Sequence, residues 1–198
     1  MRDALAGELI DKYARLGDYH WRAYRQGTIY ADHARRVRRW ITDRRVLDVG
    51  GGDGLIAGLL MRRGCEVLVV DPDPVAIAHA RRHGVPAEVG TAYRVSGRWD
   101  AIYCGDTLEH LRRPGRAVRR FRRVAPICYV ATPPRRPDRT LHDPFHHREW
   151  TPGELTVFMA RAGWRQVSSE VANERILAKF ERVEAWWRRC LSAIFRSR

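Results

Sequence analysis

The apolar and polar positions of this chain change period after about residue 42. Before that point apolar side chains recur at helical spacing: Leu5, Leu9, Ile10, Tyr13 and Leu16 form one stripe, which Gly17 ends. An aromatic-rich segment of Tyr19, Trp21, Tyr24 and Tyr30 surrounds Gly27. A second helix over about Ala31–Ile41 turns Val37, Trp40 and Ile41 to one side. From Val46 onward, short apolar runs alternate with helical patterns. The runs Val46–Val49, Glu66–Val70, Ala87–Val89, Trp99–Cys104 and Ile127–Ala131 read as strands of the kind buried in a parallel sheet. Between them Leu55–Arg63, Pro74–His83 and Gly115–Arg123 read as crossover helices, with Gly64 and Gly84 just past the first two. Thr151 and Glu154 have capping-box spacing ahead of a helix over about Pro152–Ala162. Trp164–Val171 and Arg175–Phe180 read as an antiparallel pair around Ala172–Asn173, and a basic amphipathic helix over about Arg182–Phe195 follows.

Strands alternating with helices imply a doubly wound α/β domain on a mostly parallel sheet. No internal repeat is visible, so residues 1–198 read as one domain: a helical cap over 1–42, an α/β core over 43–181 and a terminal helix over 182–198. The chain has neither a membrane-spanning apolar run nor a signal-peptide core behind Met1, and the expectation is a cytoplasmic protein. Cys65, Cys104, Cys128 and Cys190 are scattered without a C-x-x-C pair, which fits reduced thiols serving as small apolar residues. The net charge of +14 is carried almost wholly by arginine, since Lys12 and Lys179 are the only lysines. Such an excess suits nucleic acid, anionic lipid or an acidic substrate. It follows equally from a GC-rich genome, whose codons favour arginine, and charge alone does not choose between the two.

The chemistry gathers at Val46–Gly54, VLDVGGGDG, where a strand feeds a glycine-rich turn that opens a helix. Glycines there let the backbone approach a ligand closely, and the helix start offers unpaired N–H groups. The spacing Asp48-x-Gly50-x-Gly52-x-Gly54 differs from the dinucleotide fingerprint G-x-G-x-x-G, which disfavours an NAD-dependent oxidoreductase. It resembles motif I of the class I S-adenosylmethionine (SAM)-dependent methyltransferases. Asp71, followed by Pro72, closes the second strand, where a carboxylate can accept hydrogen bonds from two ribose hydroxyls. The third signature, Asp100–Pro114, DAIYCGDTLEHLRRP, resembles the strand-4 motif of the group containing the ubiquinone and menaquinone methyltransferases.

That resemblance implies a seven-stranded sheet whose last strand is inserted antiparallel, SAM as cofactor, and a small-molecule or lipid-like acceptor. It implies that Asp48 orients the turn or the methionine amine, that Asp71 clamps ribose, and that Cys104 and Gly105 lie beside the methionine part. Where relatives often carry Gly-Asp-Ala for the adenine amine, this chain has Gly90-Thr91-Ala92, so Thr91 or a backbone group would serve. The N-terminal helices would form a lid and substrate wall, or simply pack as a cap.

On the acceptor side Asp106, Glu109 and His110 form D-x-x-E-H, and His142, His146 and His147 follow in LHDPFHHREWT. The pattern resembles the E-x-x-E-H and distant histidine of metal-dependent methyltransferases acting on the 3′-terminal ribose of small RNAs. Two readings stay open. Asp106, Glu109, His110 and His146 would ligate a divalent ion, or Glu109 and His110 would only brace the loop. His110 and then His146 are the candidate general bases, because imidazole titrates near neutrality. The arginines from Arg112 to Arg123, with Arg135, Arg136 and Arg139, would neutralise phosphates if they face the cleft, or form a solvated face. The terminal helix, with Trp186 and Trp187 among arginines, suits either a membrane surface or packing on the sheet. A non-catalytic SAM-binding module is the remaining functional reading.

Overall fold

A computed structural model describes residues 12–138, 140–141 and 143–184. The expected contributions of Leu5, Leu9 and Ile10, of Arg139, His142 and Cys190, and of the tryptophan-bearing terminal helix lie outside these residues. Residues 12–16 are helical, and Gly17 follows at φ +63°. Two helices come next, α1 (Tyr19–Arg25) and α2 (Ile29–Trp40). The alternating core is β1 (Arg45–Val49), α3 (Leu55–Met61), β2 (Glu66–Asp71), α4 (Pro74–Arg82), β3 (Ala87–Val89), β4 (Ala101–Gly105), α5 (Pro114–Phe121) and β5 (Ile127–Thr132). It closes with α6 (Pro152–Arg161), β6 (Trp164–Ala172) and β7 (Arg175–Arg182).

The seven strands lie in the order β3-β2-β1-β4-β5-β7-β6. The first five pair in parallel, and β7 enters antiparallel between β5 and β6, as the resemblance implied. Alternate residues of each central strand point to opposite faces, and both faces are covered. Val46, Tyr103, Tyr129 and Ala131 pack under α1 to α4, against Trp21, Val37, Leu59 and Ile77. Leu47, Ile102, Cys104 and Val130 pack under α5 and α6, against Phe121, Leu155 and Met159. The indole of Trp164, buried on the second face, donates to the Val118 carbonyl at 2.9 Å, so its polar atom is satisfied in the core. Phe121 is fully buried beside it. Phe121→Ala should cost about 3–5 kcal/mol, read from the midpoint of urea unfolding, because the packed layer around it can only partly collapse.

The local signals act as their chemistry demands. Asp73 caps α4 by accepting the Val75 N–H at 2.7 Å, with Pro74 in the first turn. Thr151 and Glu154 form the reciprocal capping box of α6. Three boundaries differ from the sequence reading. Trp99 stands outside β4, its indole turned back onto the Ser96 carbonyl. The β6–β7 turn is centred on Asn173 and Glu174, both at positive φ, the pair of conformations that suits a two-residue hairpin. Arg182 was expected to start the terminal helix, but it ends β7, because its N–H pairs with the Pro126 carbonyl and it sits opposite Trp164. Cys104 and Cys128 are buried free thiols, and Cys65 is a partly exposed one. No helix among the described residues is long and apolar enough to cross a membrane.

Candidate functional site

The carboxyl ends of β1 and β4 open on a cavity of about 460 Å³. At its cofactor end Gly50, Gly52 and Gly54 all take positive φ. At Gly52 a side chain is also excluded by space, since a Cβ there would overlap the Tyr13 hydroxyl. At Gly54 a Cβ would stand 2.9 Å from that of Ala80, so this glycine lets the turn close against α4. Asp48 lies beneath the turn with its carboxylate against Gly51. It is buried and lines the cavity, and neither oxygen makes a well-formed hydrogen bond, the Ala57 N–H lying near enough only to temper its pKa. Burial, and next the charge of Asp71, push its pKa up to about 8. An unpartnered buried acid is costly unless a ligand supplies the donor.

Asp71 accepts the Gly52 N–H at 3.0 Å and the Asp73 N–H at 2.9 Å, one on each oxygen. A lone pair on each oxygen is left for a diol. Glycine turn, orphaned acid and second-strand acid together fit a nucleoside cofactor that carries an ammonium group. The cap holds this end closed. The Asp53 carboxylate accepts the His20 N–H at 3.0 Å, and its carbonyl accepts the Trp21 indole at 2.9 Å, tying α1 to the turn. Lys12, Tyr13, Tyr19 and Tyr30 complete the wall.

At the other end β4 runs through Gly105 to Asp106, which takes φ +46°. A short 3₁₀ turn over Leu108–His110 follows and places Glu109 inward. The loop before α6 returns beside it, because the His147 N–H donates to the Glu109 carbonyl at 2.7 Å. Ligand atoms of Glu109, His110 and His146 come within 4.8 Å of one another. Glu109 accepts the Thr132 hydroxyl at 2.9 Å on one oxygen, while the other is buried without a partner. Burial, then Asp106, raises the Glu109 pKa to about 8. His110 Nδ1 faces the Phe145 carbonyl at 3.3 Å, an acceptor only, so it must carry the proton. His146 Nδ1 stands 2.5 Å from a carboxylate oxygen of Glu149 and likewise donates. Both rings are thereby left with Nε2 as their free atom. Burial, then His146, lowers the His110 pKa.

Of the residues expected from the sequence, Asp48, Gly50, Gly105, Asp106, Glu109, His110 and His146 meet in this cavity. Gly52, Gly54, Asp71, Pro72, Thr91 and Cys104 do not line it. Asp71 lies just behind Gly52, Pro72 and Thr91 are exposed at the rim, and the Cys104 side chain is sealed in the core. Of the four residues named for a divalent ion, Glu109, His110 and His146 come together, and Asp106 stands apart from them. Arg175, from the start of β7, holds the Asp106 carboxylate through Nε at 2.6 Å and so draws it from the cluster. The arginines from Arg112 to Arg123 do not face the cavity. Arg112, Arg113, Arg116, Arg119 and Arg123 are exposed to solvent, whereas Arg120 and Arg122 donate to the Val95 and Val183 carbonyls. Sequence reasoning missed Arg175 and Glu149. The second had a visible signal, an acid three residues after His146; Arg175 had none.

Comparison with known proteins agrees with this geometry. Residues 20–170 match the methyltransferase domain family. A ubiquinone biosynthesis O-methyltransferase of Alkalilimnicola ehrlichii is 37% identical over 97 residues, covering 44% of this chain and 39% of that protein. One of Xanthomonas oryzae pv. oryzae is 32% identical over 131 residues, covering 58% and 55%. The chain therefore spans between about two fifths and just over half of these relatives' lengths. Magnesium protoporphyrin IX methyltransferase of Synechocystis, solved with bound S-adenosylhomocysteine (SAH), superposes with a TM-score of 0.71 at 14% identity, covering 88% of this chain and 98% of that one. At that identity the likeness is one of fold.

Proposed function

The chain belongs to the methyltransferase domain family of the class I SAM-dependent superfamily, and from that premise we propose that it methylates an oxygen of a small-molecule or lipid-like acceptor. The observation that carries this reading is the continuity of one cavity. It runs from the glycine turn and the orphaned Asp48 to Glu109, His110 and His146. The names of the relatives, ubiquinone biosynthesis O-methyltransferases, support oxygen as the atom attacked and a small molecule as the acceptor class.

Bound SAM would supply an activated sulfonium methyl, so the protein's work is mainly positioning. The Asp71 carboxylate would hold the ribose diol, and Asp48 would hold the amino end. Tyr19 and Tyr30 wall the cavity beside them. His146 Nε2 takes the acceptor's hydroxyl proton as the oxygen–methyl bond forms, and Glu149 steadies the imidazolium from behind. His110 is the neighbouring base, its ring 4.7 Å from that of His146.

A second reading gives the same three residues a divalent cation. It is favoured by the anchoring of both imidazoles through Nδ1, the arrangement that presents Nε2 to a metal. A cation there would bind a catechol or a terminal ribose diol and lower the pKa of the attacking hydroxyl. Transfer abolished by a strong chelator and restored by Mg²⁺ or Mn²⁺ would establish it; full transfer in chelator would leave the histidine base.

The proposal is tested by incubating the protein with methyl-labelled SAM and fractionated small-molecule, lipid and RNA pools. Label is expected in the first two. Label confined to RNA would select the ribose reading, and SAM binding without transfer to any pool would select a binding module. Asp48 gives an independent check. At pH 7 its carboxyl, with a pKa of about 8, is mostly protonated. An ammonium bound beside it favours the ionised form, so SAM binding should release protons near pH 7. Calorimetry in buffers of different ionisation heat should detect that release, and Asp48→Asn should abolish it.

A further inference from the structure

A second cavity, of about 410 Å³, lies outside the site described above, along α6. Gly153, Val157 and Arg161 recur every four residues and form one stripe of that helix. Arg148 and Trp150 face the stripe from the preceding loop, which is fastened to the end of β5 by the Arg135 N–H donating to the Trp150 carbonyl at 2.8 Å. Glu149 forms part of the lining and also holds His146, so this groove and the catalytic cavity share a wall.

An apolar strip and the exposed side chains of Arg148 and Arg161 line the groove together. Val157 is 52% exposed, and Phe158 leans on Trp150 with ring centroids 5.2 Å apart. A Cβ at Gly153 would meet nothing within 4 Å, which leaves the strip open at that end. Arg135 is neutralised by Glu154 at 2.9 Å. Arg148 and Arg161 have no carboxylate partner among the described residues. Guanidinium groups with unused donors beside an apolar strip match an anion attached to a flat hydrophobic body. The volume suits a small molecule.

We propose that this groove is a second binding site, for a small aromatic anion: a ring carrying a phosphate or a carboxylate. The ring lies on Val157 and Phe158 over Gly153, and Arg148 and Arg161 hold the charged end. The assignment stands apart from methyl transfer and does not need it.

Phenyl phosphate is the probe, titrated into the full chain at low ionic strength with saturating SAH present to occupy the cofactor site. Saturable binding is expected. It should weaken at least tenfold in Arg148→Gln/Arg161→Gln. It should weaken as much in Gly153→Leu, which fills the strip without changing charge. Inorganic phosphate and phenol, each half of the probe, should bind at least tenfold more weakly than phenyl phosphate. Wild-type melting temperatures in both variants would show that the fold is intact. Failure to bind phenyl phosphate overturns the proposal, as does unchanged affinity in either variant. Equal affinity for inorganic phosphate overturns it as well, because the apolar strip would then contribute nothing.

Discussion

Asp71→Ala is expected to lower SAM affinity at least tenfold, and by more if both ribose hydroxyls use the carboxylate. Asp71 is 8% exposed, so bulk water would compete little with a ribose bound at its carboxylate. Charge-assisted hydrogen bonds of this kind are worth about 1.5–3 kcal/mol each, and about 1.4 kcal/mol is a factor of ten. The same oxygens hold the Gly52 and Asp73 N–H groups, so the substitution also loosens the turn. Asp71→Asn separates the two effects. It keeps one acceptor oxygen for the backbone but loses the charge, and should retain the melting temperature better while still binding SAM poorly. Calorimetric titration is the measurement. Unchanged affinity in Asp71→Ala would remove this residue from the cofactor site.

The second large effect is expected at the acceptor end. His146→Ala should lower kcat by about 10²–10⁴, the usual contribution of a positioned acid or base, and leave the Kd for SAM unchanged. Added imidazole should restore part of the rate, which a purely structural role would not allow. Glu149→Gln should reproduce a smaller loss of kcat, because it leaves His146 in place but removes the charge 2.5 Å from Nδ1. A fall in SAM affinity as large as the fall in kcat would place His146 with the cofactor instead.

Legibility followed distance along the chain. The strand–turn–helix unit around Val46–Gly54 was readable because its chemistry lies within nine consecutive residues. Asp73 with Pro74 and Thr151 with Glu154 were readable for the same reason. Glu109 and His110 could be named as a pair because one short turn carries both. Their meeting with His146 is implied by resemblance alone, and only the fold brings that loop beside the turn.

What the sequence by itself determined is the alternation of strand and helix, the glycine-rich turn with its resemblance to motif I, and the residue types at the carboxyl edge. Hydrophobic period and glycine spacing are local properties, and they survive without knowledge of the fold. Tertiary structure decided which of those residues act together. Arg175 lies 69 positions from Asp106, yet β7 inserts beside β5 and carries it to the cleft, where it pairs with that acid. Tyr13 closes over Gly52 from a helix that precedes the whole sheet. The orphaned oxygens of Asp48 and Glu109 exist only because folding removes water from both. Pairings across such separations depend on how the sheet is threaded, and no local pattern of side chains records that.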